Sequence, residues 1–420
     1  MKITIGAIKT IKVILLALLL FALPVTAGQA GSYISLQQPT VDITGARMVS
    51  SEDIGIAINV LFPDNSAGSK RFIKFNATIS SKTVEKIFDI TKLTTPEKEN
   101  SIGVTENGKL SPKTPLKINL KKMKIKRFTK NEKFGLTAVA YSDDGNYSEE
   151  SAKEVEILLP VVIVHGILQE FAFTQPINAL AELKKYLIDN GYEKEQGRYQ
   201  TVYYLNYKSF WSCKRDARML ANKVKQSVLK KTYAAKVNIV AHSMGGLISR
   251  YSIAEDKLPV DKLIMIGTPN RGSTFAFTAL IDYAGLLGRY ITPLRQLMPV
   301  YDYLYDFSGK LDKNLQKRFG NRFIKELNSK PLSNSVKYFS IFNSAFQTQK
   351  EINVIYDKPE NAHYEVKSYG NGDNTVLAES AQLDGAENID VSDASETGKH
   401  MFLPANSGVL SKIKEILSNE

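Results

Sequence analysis

Ser243 is the residue around which this sequence can do chemistry. It follows the apolar, β-rich run Val237-Asn238-Ile239-Val240-Ala241-His242, and Met244-Gly245-Gly246-Leu247-Ile248 after it suits a helix. A strand that turns straight into a helix forces its corner residue into a strained backbone conformation. Only small residues two before and two after leave room for that corner. Ala241 and Gly245 occupy those positions. The corner would lift the Ser243 hydroxyl above a sheet at a helix N-terminus, the geometry of a nucleophile elbow with alanine in place of its first glycine. A chance A-x-S-x-G in a turn is the competing reading. The strand before, the helix after and the second glycine, Gly246, favour the elbow.

A serine hydroxyl is a weak nucleophile at neutral pH. It needs an adjacent base, and the base needs a carboxylate to fix its tautomer. The chain has four histidines. His165 lies in a strand-end turn and reads as a loop anchor. His242 neighbours the serine in sequence, so its side chain is expected to point away from the elbow. His363 precedes any plausible acid. His400 follows both the serine and a good acid candidate, and serine, acid, histidine is the chain order this kind of sheet uses. The acid is best placed at Asp373, in Gly370-Asn371-Gly372-Asp373-Asn374-Thr375-Val376, where glycines permit a tight loop. Its rivals are Glu379, Asp384, Glu387, Asp390, Asp393 and Glu396, which lie in polar turns where charges are usually solvated. That cluster has no recognisable calcium-ligand spacing. A tetrahedral intermediate also needs two donors for its oxyanion. The backbone N–H of Met244 supplies one, and that of Ile167, in the loop His165-Gly166-Ile167, the other. No metal or organic cofactor is required.

These residues need a scaffold, and residues 157–420 supply one. Ile157 to Val164 is a nearly continuous apolar run, as expected for a parallel strand covered on both faces. Pro176 opens a helix with Ile177, Leu180, Leu183 and Leu187 on one face, and Asn190-Gly191 ends it. Val202–Leu205 is a strand, and Ala217, Leu220, Val224 and Val228 form a second helical face. The elbow strand and helix follow, then Leu263–Ile266, Tyr338–Phe342 and Asn388–Val391 as strands. Val409, Ile413, Ile416 and Leu417 mark a closing helix. This alternation predicts a doubly wound, mostly parallel α/β sheet. Residues 275–335 interrupt it with a helical segment rich in Phe, Tyr and Leu, read as a cap or lid over an acyl chain. An ordinary packed helical insertion is the plainer alternative.

The front of the chain is different. Residues 31–156 alternate in short apolar runs broken by turns such as Pro63-Asp64-Asn65 and Asp143-Asp144-Gly145-Asn146. Leu116, Ile118 and Leu120 lose phase at Lys121-Lys122, which suggests a bulge. The run Phe134–Tyr141 resembles the closing hairpin of an immunoglobulin-like or fibronectin type III sandwich, so a smaller all-β domain is expected, of unknown partner. Residues 1–30 read as a secretory signal: Lys2, Lys9 and Lys12, then the apolar run Val13–Leu23, then small-residue cleavage sites at Val25-Thr26-Ala27 and Gly28-Gln29-Ala30. That run is too short for the roughly 30 Å core of a bilayer. A secreted or periplasmic protein follows. The formal charge of +12 comes with lysines crowded at 117–133, which lack the aromatic interleaving of a nucleic-acid surface and read as a solvated face protecting an edge strand. The lone Cys213 leaves an exported chain without an internal disulfide, so packing must hold it together.

Three segments together carry a family resemblance: Val161-Val162-Ile163-Val164-His165-Gly166-Ile167, Ile239–Gly246, and Gly267-Thr268-Pro269-Asn270-Arg271-Gly272-Ser273. They resemble the α/β-hydrolase lipases, and among these the small secreted bacterial triacylglycerol lipases, which share the alanine in the elbow. The tail, from Asp373 through Leu383–Ile389 to His400, is similar to the end of that family. The resemblance covers residues 157–274 and 365–418. It implies an α/β-hydrolase fold, Ser243 as nucleophile, Asp373 as acid, His400 as base, Ile167 and Met244 as oxyanion donors, and a lipid or other ester as substrate, met at a lipid–water interface. Leu168-Gln169 stands where the family often has glycine, and the 275–335 insertion is larger than in minimal lipases. Phospholipid hydrolysis or acyl transfer on the same three residues is the alternative activity, and a non-catalytic binding protein on the same fold the remaining one.

Overall fold

In this computed structural model the chain is described over residues 38–419, apart from 49–51, 64–67, 80–81, 95–99, 105–109, 112–115, 168–175, 193–200, 206–211, 277, 279–321 and 356–362. The leader expected at 1–30 and most of the cap expected at 275–335 therefore lie outside the described residues. Pro39–Glu420 forms one compact unit.

The front of that unit is built from β1 (Thr40–Met48), β2 (Asp53–Leu61), β3 (Arg71–Ile79), β4 (Lys82–Asp89), β5 (Asn100–Val104), β6 (Leu110–Ser111), β7 (Leu116–Asn119), β8 (Glu132–Ser142) and β9 (Ser151–Ile157). One antiparallel sheet runs β1-β2-β5-β6, with β7 also on β2, and the other runs β4-β3-β8-β9. Strand alternation decides what faces inward. Ile73, Phe75, Ala77 and Ile79 of β3 and Phe134, Leu136, Ala138 and Ala140 of β8 are buried, with Ile54, Ile56, Ile58 and Val60 of β2 in the same core. The bulge expected at Lys121-Lys122 is not there. β7 ends at Asn119 and the chain turns through 120–124, with the Asn119 side chain accepting from Lys122 N at 2.8 Å and Lys124 at φ 56°. Both a bulge and a turn break the alternation, and the lysine run carries no signal that separates them.

Beyond β9 the pattern changes to a parallel sheet. Its strands are β10 (Val161–Val164), β11 (Val202–Leu205), β12 (Val237–His242), β13 (Val260–Ile266), β14 (Lys337–Phe342) and β17 (Glu387–Asp390), in the spatial order β11-β10-β12-β13-β14-β17. Every neighbouring pair is parallel. A hairpin, β15 (Phe346–Ile355) with β16 (His363–Gly372), stands between β14 and β17 in the chain and pairs on its own. The central strands β10 and β12 are buried along their whole length because helices cover both faces, whereas the edge strand β17 is polar and mostly exposed. On one face α1 (Pro176–Asp189) and the C-terminal Ser407–Ser418 helix pack on Val161, Ile163, Val240, Ile264 and Ile341. On the other, α2 (Cys213–Lys223) and α3 (Met244–Ala254) pack on Val162, Val164, Ile239, Ala241, Leu263 and Met265. Strand order reverses between β10 and β12, the position where such sheets open a crevice at their carboxyl ends. The architecture is an α/β-hydrolase fold.

Cys213 opens α2 fully buried, and burial, with Asp216 nearby, pushes its thiol pKa far up, so it stays an inert protonated thiol. Among the described residues no helix is long and apolar enough to cross a membrane.

The β-sheets and the parallel sheet are joined by specific bonds. Phe128 forms a parallel bridge to Ala234, accepting from Ala235 N at 2.6 Å and donating to Tyr233 O at 3.0 Å. The Phe128 ring lies edge-on to Phe134 on the front side and to Tyr233 on the other. Arg127 donates to the carbonyls of Leu229 and Thr232, and Tyr233 Oη to Ile125 O at 2.8 Å. Asn131 accepts from Leu159 N at 2.9 Å and donates to Leu417 O at 3.3 Å. Truncating Phe128 to alanine empties the middle of this joint. We expect it to lower global stability by about 3–5 kcal/mol in chemical denaturation, with both halves of the chain losing structure in one transition. Loss confined to the front sheets would contradict a single cooperative unit.

Candidate active site

β12 ends at His242, and the chain turns through Ser243 directly into α3. Ser243 at the corner has φ 54° and ψ −129°, a region that costs a non-glycine residue of order 1–3 kcal/mol. Surrounding bonds hold it there: Ser243 N donates to Ile266 O at 2.9 Å, and Ser243 O accepts from Gly246 N and from Thr268 Oγ1, both at 3.0 Å. The small residue after the corner is compulsory. A Cβ on Gly245 would lie 2.5 Å from His165 O and 2.8 Å from Val164 O, both backbone atoms that cannot give way. The Gly166 turn presses on the serine from the other side, since a Cβ there would sit 3.3 Å from Ser243 Oγ. The Ile167 loop and the first turn of α3 therefore flank the hydroxyl.

Three of the residues singled out from the sequence meet here. His400 Nε2 lies 2.9 Å from Ser243 Oγ, and His400 Nδ1 lies 2.7 Å from Asp373 Oδ2. With its proton on Nδ1, His400 donates to the carboxylate and accepts from the serine hydroxyl. All three are buried, at 6% exposure for Ser243, 4% for His400 and 1% for Asp373. Asp373 is fixed in the plane its partner needs. Its Oδ1 accepts from Val376 N at 2.7 Å and Thr375 N at 3.0 Å, which leaves Oδ2 to the imidazole. Its own N–H donates to Val376 O, and its carbonyl accepts from His400 N at 2.9 Å, so acid and histidine are tied through main chain as well as side chain. Gly267 lies against that pair at φ 55°, where a Cβ would come within 2.9 Å of Asp373 Oδ2 and 3.1 Å of His400 Nδ1.

Of the remaining histidines, His165 is buried, with Nδ1 2.8 Å from Gly166 O and its ring stacked near Tyr204. It anchors the loop. His363 opens β16, remote in the chain from the serine corner. His242 departs from expectation. It does point to the opposite face of β12 from Ala241, as strand alternation requires. That face is the one covered by the His400 segment, so the imidazole finishes against the catalytic candidate rather than away from it. His242 Nε2 lies 2.9 Å from His400 O, and the two rings are 4.8 Å apart, tilted by 41°.

Of the rival acids, Asp384 pairs at the surface with Arg271, and Glu396 with Lys399. Asp393 works structurally: Ser395 and Asn406 donate to its carboxylate, and those bonds lower its pKa. Among the described residues no group of three or more His, Cys, Asp or Glu is arranged to hold a metal ion. Sequence reasoning missed the buried Arg250 of α3. Its guanidinium donates to Asn270 Oδ1 and Asn328 Oδ1, both at 3.0 Å. Asn270 continues to Ala381 O at 2.7 Å, and Asn328 returns to Asn270 O at 2.9 Å. The nucleophile helix is thereby pinned to the loop after β13 and to Arg322–Asn328, where the expected cap rejoins the core. Burial lowers the Arg250 pKa to about 10, so it remains charged at neutral pH.

The family model Lipase (class 2) matches residues 158–374, just over half of the chain. The chain belongs to the class 2 lipases. Two curated relatives are similar over a shorter stretch. The triacylglycerol lipase of Pseudarthrobacter phenanthrenivorans is 37% identical over 121 residues, 28% of this chain and 35% of that protein. That of Burkholderia plantarii is 37% identical over 121 residues, 28% of this chain and 31% of that protein. The match thus spans about a third of either relative. Among solved structures, the mature lipase BlEst2 of Bacillus licheniformis is 16% identical, with a TM-score of 0.41 over 62% of this chain and 93% of that one. The family match ends at 374, so His400 is placed by the fold alone.

Two outcomes follow from the site's geometry. A methyl at position 267 enters the Asp373–His400 contact, so G267A should abolish turnover in a folded protein, as judged by an unchanged far-UV spectrum beside lost activity. Stability should also fall with acid. The His242 pKa is held well below 6.5, first by burial and then by the neighbouring His400 and His165. Below about pH 6.5 the unfolded chain takes up a proton that the native site refuses. Stability is therefore complete above that pH and declines by up to about 1.4 kcal/mol per unit below it. Urea midpoints at pH 5 and 7, compared between the wild type and H242Q, isolate this contribution.

Proposed function

We propose that this chain hydrolyses carboxylic esters of lipids through an acyl-enzyme, with Ser243 as nucleophile, His400 as general base and acid, and Asp373 orienting the imidazole. The carrying observation is the continuous hydrogen-bonded chain from Ser243 Oγ through His400 to Asp373 at a strained strand–helix corner. Membership of the class 2 lipases supports the same reading.

In the first step Ser243 Oγ attacks the ester carbonyl carbon as its proton passes to His400 Nε2. Asp373 stabilises the resulting imidazolium without taking the proton. The carbonyl oxygen becomes an oxyanion, for which the backbone N–H groups of Met244 and Ile167 are the assigned donors. Each such donor is worth about 3 kcal/mol in the transition state. The tetrahedral intermediate collapses, the carbonyl–alkoxy bond breaks, and the leaving alcohol takes the proton from Nε2. Water then repeats the attack with His400 as base, and the acid is released with Ser243 regenerated. Burial of the three residues strengthens each electrostatic contribution by excluding solvent.

The leader composition supports export, so the proposed setting is secreted or periplasmic. The Phe-, Tyr- and Leu-rich 275–335 segment supports a long acyl chain as the group to be held.

S243A should lose at least a thousandfold in kcat, and D373N about ten-thousandfold, on a p-nitrophenyl ester. A fluorophosphonate should label Ser243 in the wild type alone. A panel of rising acyl length, run with and without an oil–water interface, tests the substrate class. Cleavage of short soluble esters only would reduce the assignment to an esterase. Release of lysophospholipid from mixed lipids, or transfer of the acyl group to an added alcohol in place of water, would move it to the alternative activities.

A further inference from the structure

The His242 side chain is a buried polar group beneath the relay for which the mechanism above has no task. It is buried at 2% exposure, on a strand whose other inward positions are mostly aliphatic. Its Nδ1 is buried without a hydrogen-bond partner among the described residues. An unpaired buried acceptor lowers stability, and an aliphatic residue of equal volume would avoid that penalty. Fold stability alone therefore does not single out histidine here, since any side-chain donor that reaches the His400 carbonyl would serve it without an unpaired Nδ1.

We infer that His242 is a positioning residue for the base: as a neutral imidazole with its proton on Nε2, it donates to the backbone carbonyl of His400 and backs that ring. The inference rests on the reading of His400 as the base. The donor is needed because of how His400 is held. Its N–H is tied to Asp373 O, and its two ring nitrogens are committed to Asp373 and Ser243. Those bonds fix one side of the residue and the ring's two edges. The bond from His242 to the carbonyl, 2.9 Å, fixes the peptide on the other side and with it the direction of Cα–Cβ. The ring contact, 4.8 Å between centroids, limits rotation about the side chain. Neutrality is part of the role. The titratable groups facing His242 are His400 itself and, more distantly, His165, with the Asp373 carboxylate beyond His400. A cation at 242 would oppose the imidazolium that forms on His400 at each chemical step. A neutral donor imposes no such opposition.

The test uses two variants of the full chain. H242Q keeps an N–H donor able to reach the same carbonyl. H242L keeps the volume and removes both donor and ring. For H242L we expect kcat on a short soluble ester to fall about 30-fold, with KM within about twofold, since small misplacement of a catalytic group can cost a hundredfold. Its melting temperature should fall by no more than a few degrees, because loss of the bond to the His400 carbonyl is offset by removal of the unpaired Nδ1. H242Q should recover kcat to within about fivefold of wild type. In proton NMR, the downfield resonance of the His400–Asp373 hydrogen bond should broaden or shift in H242L and be retained in H242Q. Loss of kcat in parallel with melting temperature, no rescue by glutamine, or an unaltered downfield resonance in H242L would each overturn the role. S243A measured alongside keeps the two readings separate. If it matches wild-type turnover, the assigned ester chemistry fails, and the NMR comparison alone then decides whether His242 positions His400.

Discussion

The backbone at residue 243 sits in a conformation that no helix or strand would choose, and the site is organised around keeping it there. The strained corner needs its neighbours to approach without side chains. Gly245 meets the carbonyls of Val164 and His165, and the Gly166 turn meets the serine itself. Those contacts let the first turn of α3 approach the carboxyl end of β10 more closely than ordinary side chains allow. The strain, of order 1–3 kcal/mol, is small beside the burial of the two aliphatic layers that clamp the sheet. It survives because the sheet, two carbonyl bonds and the Thr268 hydroxyl over-determine the turn.

The second constraint is distance along the chain. Acid and base are separated from the serine by well over a hundred residues, yet each lies at the carboxyl end of a different strand or hairpin, where loops are free to converge. The sheet positions the serine, and the β15–β16 hairpin positions the acid. Thr348 of the hairpin accepts from Asn374 N at 3.0 Å and lies close against Gly372, so the turn that presents Asp373 is braced on the opposite hairpin strand. Ser273 adds a bond to Thr375 O, joining the loop after β13 to the acid loop. Gly267, at φ 55°, lets that same loop pass beneath acid and base together.

What could be read in advance follows from the range over which each signal acts. The parallel strands were legible because burial on both faces leaves unbroken apolar runs, as in Val161–Val164 and Leu263–Ile266. Ser243 was legible because its steric demand is met within five residues, and His400 because the chain has few histidines and a fixed order to satisfy. The β15–β16 hairpin was not, since Lys350, Asn353 and Ser368 interrupt its sparse apolar residues and it pairs apart from the parallel sheet. Arg250 was invisible for a different reason. Its partners Asn270 and Asn328 lie far off in sequence, and asparagine is ordinarily a turn residue. His242 was misjudged by treating the far side of a strand as irrelevant to the site, when that far side is covered by the segment that supplies the base.

That covering segment is held mainly by amide side chains, its Glu396–Lys399 ion pair lying at the surface. Asn343, at the end of β14, donates to the carbonyls of Asp393 and Gly398 at 2.7 and 2.8 Å and accepts from Asp393 N at 3.0 Å. Asn406 donates to the Asp393 carboxylate and caps the last helix by accepting from Gly408 N and Val409 N. Two amide side chains therefore join β14, the 393–398 turn and the Ser407–Ser418 helix, and His400 lies between those anchors. Amides suit this task better than charges would. They satisfy buried carbonyls and N–H groups alike, and they place no fixed charge beside the imidazole proposed as the base. The neutral His242 ring under His400 obeys the same rule. Around the proposed base the protein uses dipoles, and among the described residues the carboxylate that reaches the imidazole is Asp373, held by two N–H bonds so that Oδ2 meets Nδ1.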